Sequence, residues 1–473
     1  MLSVPAELRQ RLEKHGQDHV LAWWDRLNDG ERRGLLDQIR AIDLDQIRRL
    51  YGERGQRFAL PAPERIKPIP VVRLGEESAL LGGTAAVSHL GEEALRRGEV
   101  AVLVVAGGQG SRLGFDHAKG MFPVGPVSDK SLFQIHAEKV LALGRRYGKP
   151  IPFLIMTSPT NEAETRAFFQ EPGNFGLAAE QVFFFSQGTM PAVDLQTGQL
   201  LMEAPGRLFT SPNGHGGSLT ALAESGLLER LDRAGVRQVF YFQVDNPLVR
   251  IADPLFLGYH RSARAEVSTK VIPKSSPEDK LGNLVLVDDR CAMIEYSDLP
   301  KELANQRDEG GRLRFWVGSP AIHLFEVAFL RQVTQGATRI PFHVARKKVP
   351  HIDAAGQTVQ PAKENALKFE MFIFDVLPRA DRWTVVETTR REEFEPLKNA
   401  TGPDSPPTVR QAISNLAGEW LRGAGVEVPR ANGNVAVPLE ISPLFALDAE
   451  ELAAKVDRGL RITGPTYLGE PGA

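Results

Sequence analysis

Residues 100–125, VAVLVVAGGQGSRLGFDHAKGMFPVG, decide how this chain is read. Val100 to Val105 form an unbroken apolar run of strand length, which fits a strand buried on both faces. Glycines follow at 107, 108 and 110. At a strand end such residues let backbone N–H groups come close to phosphate oxygens, because no Cβ stands in the way. Two common phosphate loops fail on spacing. The dinucleotide fingerprint requires glycine three residues after Gly110, where Leu113 stands, and the Gly-Lys-Ser/Thr of a P-loop is absent from this stretch. The remaining pattern is Gly-Gly-x-Gly-x-Arg-x-Gly with Lys119-Gly120 shortly after. Arg112 and Lys119 place two cations beside a backbone anion nest. That combination suits a triphosphate, whose leaving pyrophosphate gathers negative charge during reaction. The alternative is a glycine-rich turn with two solvated cations.

Outward from this loop, strand and helix patterns alternate from about residue 98. Ser131 and Gln134 have capping-box spacing and open a helix carrying Leu132, Ile135, Val140, Leu141 and Leu143. Residues 153–156, 182–185 and 239–244 read as further strands, and 161–169, 219–231 and 254–264 as helices. Alternation of this kind predicts a mostly parallel, doubly wound α/β sheet. From 266 to about 389 strands are denser, with a hairpin expected through Asp288-Asp289-Arg290. Ahead of the sheet, Leu8, Leu12, Val20, Leu21, Trp24 and Leu27, then Leu35, Leu36, Ile39, Ile42 and Ile47, recur at helical spacing. Pro61, Pro63, Pro68 and Pro70 break that pattern. A proline-rich stretch at 403–407 precedes a helix over about 408–423 and a smaller C-terminal unit. The expected division is a helical segment 1–65, a catalytic domain 66–400 and a small domain 401–473.

With 473 residues the chain suits two or three domains, and its 25% charged and 42% hydrophobic residues are ordinary for a globular protein. Its 57 basic and 59 acidic side chains give a net charge of −2, which supports neither a nucleic acid nor an anionic membrane as partner. Cys291 is the single cysteine, so no disulfide forms within the chain and no thiolate zinc site can be built. The first residues are charged, and no apolar run reaches the length of a membrane span. A cytoplasmic protein is expected.

Asp245, in FQVDNPLV, follows an apolar strand. An acidic residue at a strand's carboxyl end faces the ligand crevice of an open sheet. The alternative for Asp245 is a helix cap.

The loop and the helix after it, VVAGGQGSRLGFDHAKGMFPVGPVSDKSLFQIHAEKV from Val104, resemble the eukaryotic-type UDP-N-acetylhexosamine and UDP-sugar pyrophosphorylases. The likeness continues in FLIMTS, FFFSQGTMPAVD, VDNPLVRIADPLFLGY, IEYSDLP, HVARKKVPHID, KFEMFIFDVLPRA, EFEPLKNATG and LEISPL, over roughly residues 98 to 450 in the family's order. The resemblance implies a Rossmann-like, GT-A-like nucleotidyltransferase with a doubly wound mixed sheet. It implies transfer of a uridylyl group from UTP to a sugar 1-phosphate, N-acetylglucosamine 1-phosphate foremost, with Mg²⁺ as cofactor and a monomer or weak dimer as the working state. Residue by residue, it implies that Gly107 and Gly108 hold the nucleotide, that Arg112, Lys119 and Lys398 serve catalysis, and that Asp245 binds Mg²⁺. Gln187 would read uracil, with Gly214 and His215 against the uridine. Gly282 and Glu295 would bind the sugar, and Lys368 a phosphate.

Two departures stand out. Where the acetylhexosamine enzymes carry an NAGN-like segment this chain has FWVGSPAIH, so Trp316 and Ser319 replace asparagines. Its NGHGG likewise resembles the UDP-glucose and broad UDP-sugar enzymes more than the usual DGNGG. A glucose or galactose 1-phosphate enzyme, and a non-catalytic nucleotide-sugar binding protein, are the alternatives.

Overall fold

Val100–Val105 is the strand its residues predict, buried along its whole length. The computed structural model describes residues 2–55, 60–75, 83–335 and 340–470. They cluster into two units: Met1–Leu60 with Gln187–Thr220 and Arg339–Asp375, and Pro61–Ser186 with Ala221–Thr338 and Val376–Ala473. Residues 1–60 therefore group with two later segments of the chain, and residues 401–470 group with the larger unit.

The larger unit holds an 11-stranded sheet. Its strands in chain order are β1 (Ile66–Pro68), β2 (Val100–Val105), β3 (Phe153–Thr157), β4 (Val182–Ser186), β5 (Gln238–Gln243), β6 (Val267–Pro273), β7 (Gly282–Val287), β8 (Arg290–Ile294), β9 (Val317–Ser319), β10 (His323–Glu326) and β11 (Trp383–Glu387). Their lateral order is β1-β7-β9-β6-β10-β5-β2-β3-β4, with β8 beside β7 and β11 beside β6. Strands β5, β2, β3 and β4 pair in parallel, as the alternation with helices requires. The sheet is mixed, because β10 runs antiparallel between β5 and β6, and β7, β8 and β9 also pair antiparallel. The β7–β8 connection is the hairpin expected at Asp288-Asp289. Both residues have positive φ, 49° and 61°, as a two-residue turn matched to strand twist demands. So short a link leaves no room for the crossover helix a parallel pair needs.

One face of the parallel strands carries Val100, Val102, Val104, Phe153, Ile155, Phe240 and Phe242. These pack with residues of four helices, α1 (Thr84–Arg97), α2 (Leu132–Tyr147), α3 (Glu162–Gln170) and α4 (Pro254–Ser262), in one core. Each large side chain fully buried there contributes about 2 kcal/mol. Ser131 starts α2 by accepting a bond from the Gln134 amide at 3.1 Å, while the Gln134 side chain turns instead to Glu138. The capping box is thus half made.

The C-terminal part begins with α5 (Pro406–Gly423), whose Ala417 and Leu421 share a separate core with Val426, Leu439, Leu452 and Ile462. Its Glu440, 5% exposed, accepts bonds from the amides of Val127 and Ser128 at 2.9 and 2.8 Å. A C-terminal carboxylate thereby pins the chain a few residues beyond Lys119. Cys291 is buried in β8, and burial pushes its thiol up to about 12.

In the smaller unit the expected helices form in shorter pieces: Ala6–Lys14 is followed by 3-10 turns at Asp18–Leu21 and Trp24–Arg26, and the second expected helix is split into Asp29–Ala41 and Leu44–Gly52. Their Leu12, Leu35, Leu36, Ile39 and Ile47 share a core with Val193, Leu200, Leu208, Leu367 and Phe369. Among the described residues no helix is long and apolar enough to cross a membrane.

Candidate active site

In the larger unit, the strand ends bring Gly108, Lys119 and Asp245 together. The parallel register of β2 and β5 continues past both strands, with the Val244 amide donating to the Val105 carbonyl at 3.1 Å. Gly107 thus leaves β2 beside the point where Asp245 leaves β5. The loop then folds back, and the Lys119 amide donates to the Gly108 carbonyl at 3.1 Å. Gly120 makes this turn possible, since a Cβ there would lie 2.3 Å from the Phe133 ring. The result sets Lys119 Nζ 3.3 Å from Asp245 Oδ2, with both side chains less than a fifth exposed, at 19% and 17%. Arg112 lies exposed on the short turn Ser111–Leu113 of the same loop. Lys398 is next to Leu397, whose amide donates to the Asp245 carbonyl at 2.8 Å.

Asp245 is held by its flanks on both sides. His136, 0% exposed on α2, donates from Nε2 to the Val244 carbonyl at 3.0 Å. Asn246 donates to the Glu393 carbonyl at 2.7 Å and accepts from the amides of Leu248 and Glu395. Among the described residues no group of three or more His, Cys, Asp or Glu side chains could cage a metal. The single Asp245 carboxylate offers one hard oxygen, which fits an ion such as Mg²⁺ that takes its other ligands from phosphate and water.

Gly282 and Glu295 lie at the same end of the β7–β8 hairpin, one step past the Asn283–Ile294 pair. In the sheet they are four strands from β5. Ser319 stands opposite Gly282 on β9, and the Trp316 ring is covered by the Arg73 guanidinium at 4.2 Å.

In the smaller unit a second cluster forms. Gln187, 6% exposed, precedes Gly188, whose carbonyl accepts from the Asn213 amide at 3.0 Å. Gly214 has φ 87°, and a Cβ there would lie 2.3 Å from the Met371 carbonyl oxygen, so the turn requires glycine. His215 Nδ1 accepts from the Ile373 amide at 3.2 Å. Burial, then neighbouring His343, holds its pKa near 4, so the ring is neutral and its proton sits on Nε2, a donor. Lys368 lies on the strand Ala366–Glu370, its Nζ 6.0 Å from the Phe209 ring centre. Gln187, Gly214 and His215 are thus neighbours in one unit, and Gly107, Gly108, Lys119 and Asp245 in the other, with Lys398 one residue from the Leu397 that bonds Asp245 and Arg112 on the exposed turn of the glycine loop.

The sequence did not single out His136, Lys139, Asn246 or Glu393. The available signal was polar residues on the buried face of α2, among Ile135, Val140 and Leu143.

Burial lowers the His136 pKa from 6.5 to about 3, with the Lys139 charge adding to the effect. The unfolded chain therefore binds a proton that the folded one refuses between pH 6.5 and 3. This part of the stability is present above 6.5 and lost as the pH falls, at about 1.4 kcal/mol per pH unit. The thermal midpoint should drop between pH 6.5 and 4.5, and drop less in His136→Gln, whose amide can still donate to Val244. Equal drops in both proteins, measured by scanning calorimetry, would show that His136 does not contribute.

Comparison with known proteins gives a consistent picture. Residues 61–402 match the family described as UTP–glucose-1-phosphate uridylyltransferase. The UDP-N-acetylglucosamine pyrophosphorylase of Saccharomyces cerevisiae is 36% identical over 464 residues, covering 94% of this chain and 96% of its own. The UDP-N-acetylglucosamine diphosphorylase 2 of Arabidopsis thaliana is 35% identical over 479 residues, covering 98% of this chain and 93% of its own. Among solved structures, the uridine diphosphate N-acetylglucosamine pyrophosphorylase of Trypanosoma brucei, in complex with an inhibitor, superposes with a TM-score of 0.81 at 28% identity. That match covers 96% of this chain and 95% of that one.

Proposed function

We propose that this chain, which belongs to the UTP–glucose-1-phosphate uridylyltransferase family and is a nucleotidyltransferase, joins N-acetylglucosamine 1-phosphate to UTP, releasing pyrophosphate and UDP-N-acetylglucosamine. The observation that carries the reading is the Lys119–Asp245 pair at the end of β5, beside the glycine loop that leaves β2. A lone surface lysine and a capping aspartate would not be drawn together there.

The sugar phosphate oxygen attacks the α-phosphorus of UTP in line, and pyrophosphate leaves. The attacking phosphate is already ionised, so no side chain has to remove a proton. Gly107 and Gly108 present backbone N–H groups to the nucleotide phosphates. Arg112 and Lys119 neutralise the departing oxygens, and Lys368 and Lys398 orient phosphate groups. Asp245 would hold Mg²⁺, which when bound would supply charge neutralisation to the phosphates. Gln187 hydrogen-bonds the uracil edge, and the His215 Nε2–H donates to the uridine. Glu295 and the Gly282 backbone take the sugar, with Ser319 opposite Gly282. We place the enzyme in the cytoplasm as a monomer or weak dimer, in keeping with its single buried cysteine and near-neutral charge.

The two departures at Trp316 and Ser319 make the sugar the point to test. Pyrophosphate release should be measured with UTP and, in turn, the 1-phosphates of N-acetylglucosamine, N-acetylgalactosamine, glucose and galactose. The expected result is the highest kcat/KM with N-acetylglucosamine 1-phosphate. A preference for glucose 1-phosphate would move the chain to the other branch of the family. Binding of UDP-sugars with no turnover on any of them would refute catalysis.

A further inference from the structure

The carboxylate at the end of β5 is only as well placed as the chain that carries it. The chain leaves the sheet after Gln243, and past the bond from the Val244 amide to Val105 no ladder bonds fix it. Behind it lies a cavity of about 120 Å³ lined by Leu248, Val249, Ile251, Ile413 and Trp420. Val249 and Ile251 pack in the core beside that cavity, and polar contacts add to their hold. Lys139 Nζ donates to the carbonyls of Pro247 and Val249 at 2.5 and 2.9 Å. Both are main-chain oxygens outside any strand or helix. Burial lowers the Lys139 pKa to about 7, and its amino group keeps N–H donors for both carbonyls whether or not it is charged. Three residues earlier on the same helix, His136 holds the Val244 carbonyl on the other side of Asp245. Positions three apart share a helix face, so α2 grips the chain both before and after the carboxylate. One half-buried donor shared between two carbonyls ties the segment to the helix at two points.

We infer that Lys139 is a positioning residue: its amino group, bridging the carbonyls of Pro247 and Val249 while His136 bonds Val244, sets where the Asp245 carboxylate stands. This rests on the reading of Asp245 as the metal-binding residue of a uridylyl transfer. Lys139 itself touches neither substrate nor metal. Its removal should therefore change the rate of the chemical step and the Mg²⁺ requirement while leaving sugar binding alone.

The test compares Lys139→Met, which keeps the apolar stem, and Lys139→Arg, which keeps a long donor, with the wild-type chain. Two quantities are read. Hydrogen–deuterium exchange of peptides spanning 244–251 reports the restraint directly and needs no activity. Steady-state kinetics with varied Mg²⁺ report its consequence. In Lys139→Met, exchange over 244–251 should quicken about tenfold, with the rest of the sheet unchanged. Its kcat should fall about tenfold and half-saturating Mg²⁺ rise by a similar factor, with KM for the sugar phosphate within about twofold. Lys139→Arg should recover part of both effects. Unchanged exchange at 244–251 in Lys139→Met would overturn the inference, as would a wild-type kcat. Were Lys139→Met unable to fold, Lys139→Gln, which keeps a shorter donor, carries the same test: quickened exchange at 244–251 and a lowered kcat are expected, and wild-type values of both would overturn the inference. A wild-type chain inactive on every sugar phosphate would instead defeat the proposed reaction, and the exchange result would still stand or fall by itself.

Discussion

Replacing Asp245 by alanine should lower the maximal rate of pyrophosphate release by about 1,000-fold, the equivalent of about 4 kcal/mol of lost transition-state stabilisation. The size reflects what the carboxylate does. In the proposed reaction it would hold the divalent ion at the end of β5, and it faces Lys119 across 3.3 Å. Without it that ion would lose its protein ligand, and Lys119 its ion-pair partner. The main chain at this position does not depend on the side chain. Leu397 bonds the Asp245 carbonyl, His136 bonds Val244, and Asn246 is held by three bonds of its own. The variant should therefore fold, with a circular dichroism spectrum and thermal midpoint close to the wild type. Asp245→Asn keeps the shape and removes the charge, and should be nearly as slow. A rate within tenfold of the wild type for either variant, at saturating Mg²⁺, would remove Asp245 from the chemistry.

The second large effect is expected at Lys119. Lys119→Ala should reduce kcat by about 100-fold or more, as for loss of one preorganised donor to developing charge. Here too the backbone is fixed independently. The Lys119 amide is bound to Gly108, and the preceding Ala118 is fully buried with its amide bonded to Glu164 at 3.2 Å. The substitution thus removes the ammonium and little else. The deficit should appear in kcat more than in KM for the sugar phosphate, because the charge it neutralises belongs mainly to the leaving pyrophosphate. Lys119→Arg should be intermediate, since a guanidinium restores charge with a different reach. Near-normal turnover of Lys119→Ala at saturating substrate would defeat the assignment.

Much of this architecture could be read from the sequence, for a physical reason. Val100 to Val105 had to be a doubly covered strand, because nothing polar interrupts it. The glycines after it had to turn, and Asp288-Asp289 had to make a hairpin because both accept positive φ. The same applies to the meeting of Gly107 with Asp245: adjacent parallel strands deliver the residues after their C-terminal ends to one place. The turn that returns Lys119 to Asp245 was not legible. What could not be read is carried by the main chain and by distant pairings. Lys139 binds carbonyl oxygens, and Glu440 binds the amides of Val127 and Ser128, groups every residue has and no residue type announces. The union of residues 1–60 with 187–220 and 339–375 rests on contacts between segments far apart in the chain. Periodicity gives each helix its apolar face and leaves open which surface that face meets. The antiparallel β7–β8 pair comes from a link too short for a crossover, and that hairpin was legible in advance; the antiparallel pairing of β9 with β7, across the long segment that follows β8, was not.

The sealed thiol of Cys291 has a practical consequence. A sulfhydryl buried inside a strand, with burial pushing it up to about 12, should not react with maleimides or methanethiosulfonates at neutral pH, which a thiol titration of the folded chain would check. The natural chain is therefore already a blank background for bioconjugation. A fluorophore or nitroxide attached to one cysteine introduced on an exposed position of either unit would report from that position alone, with no prior removal of native cysteines.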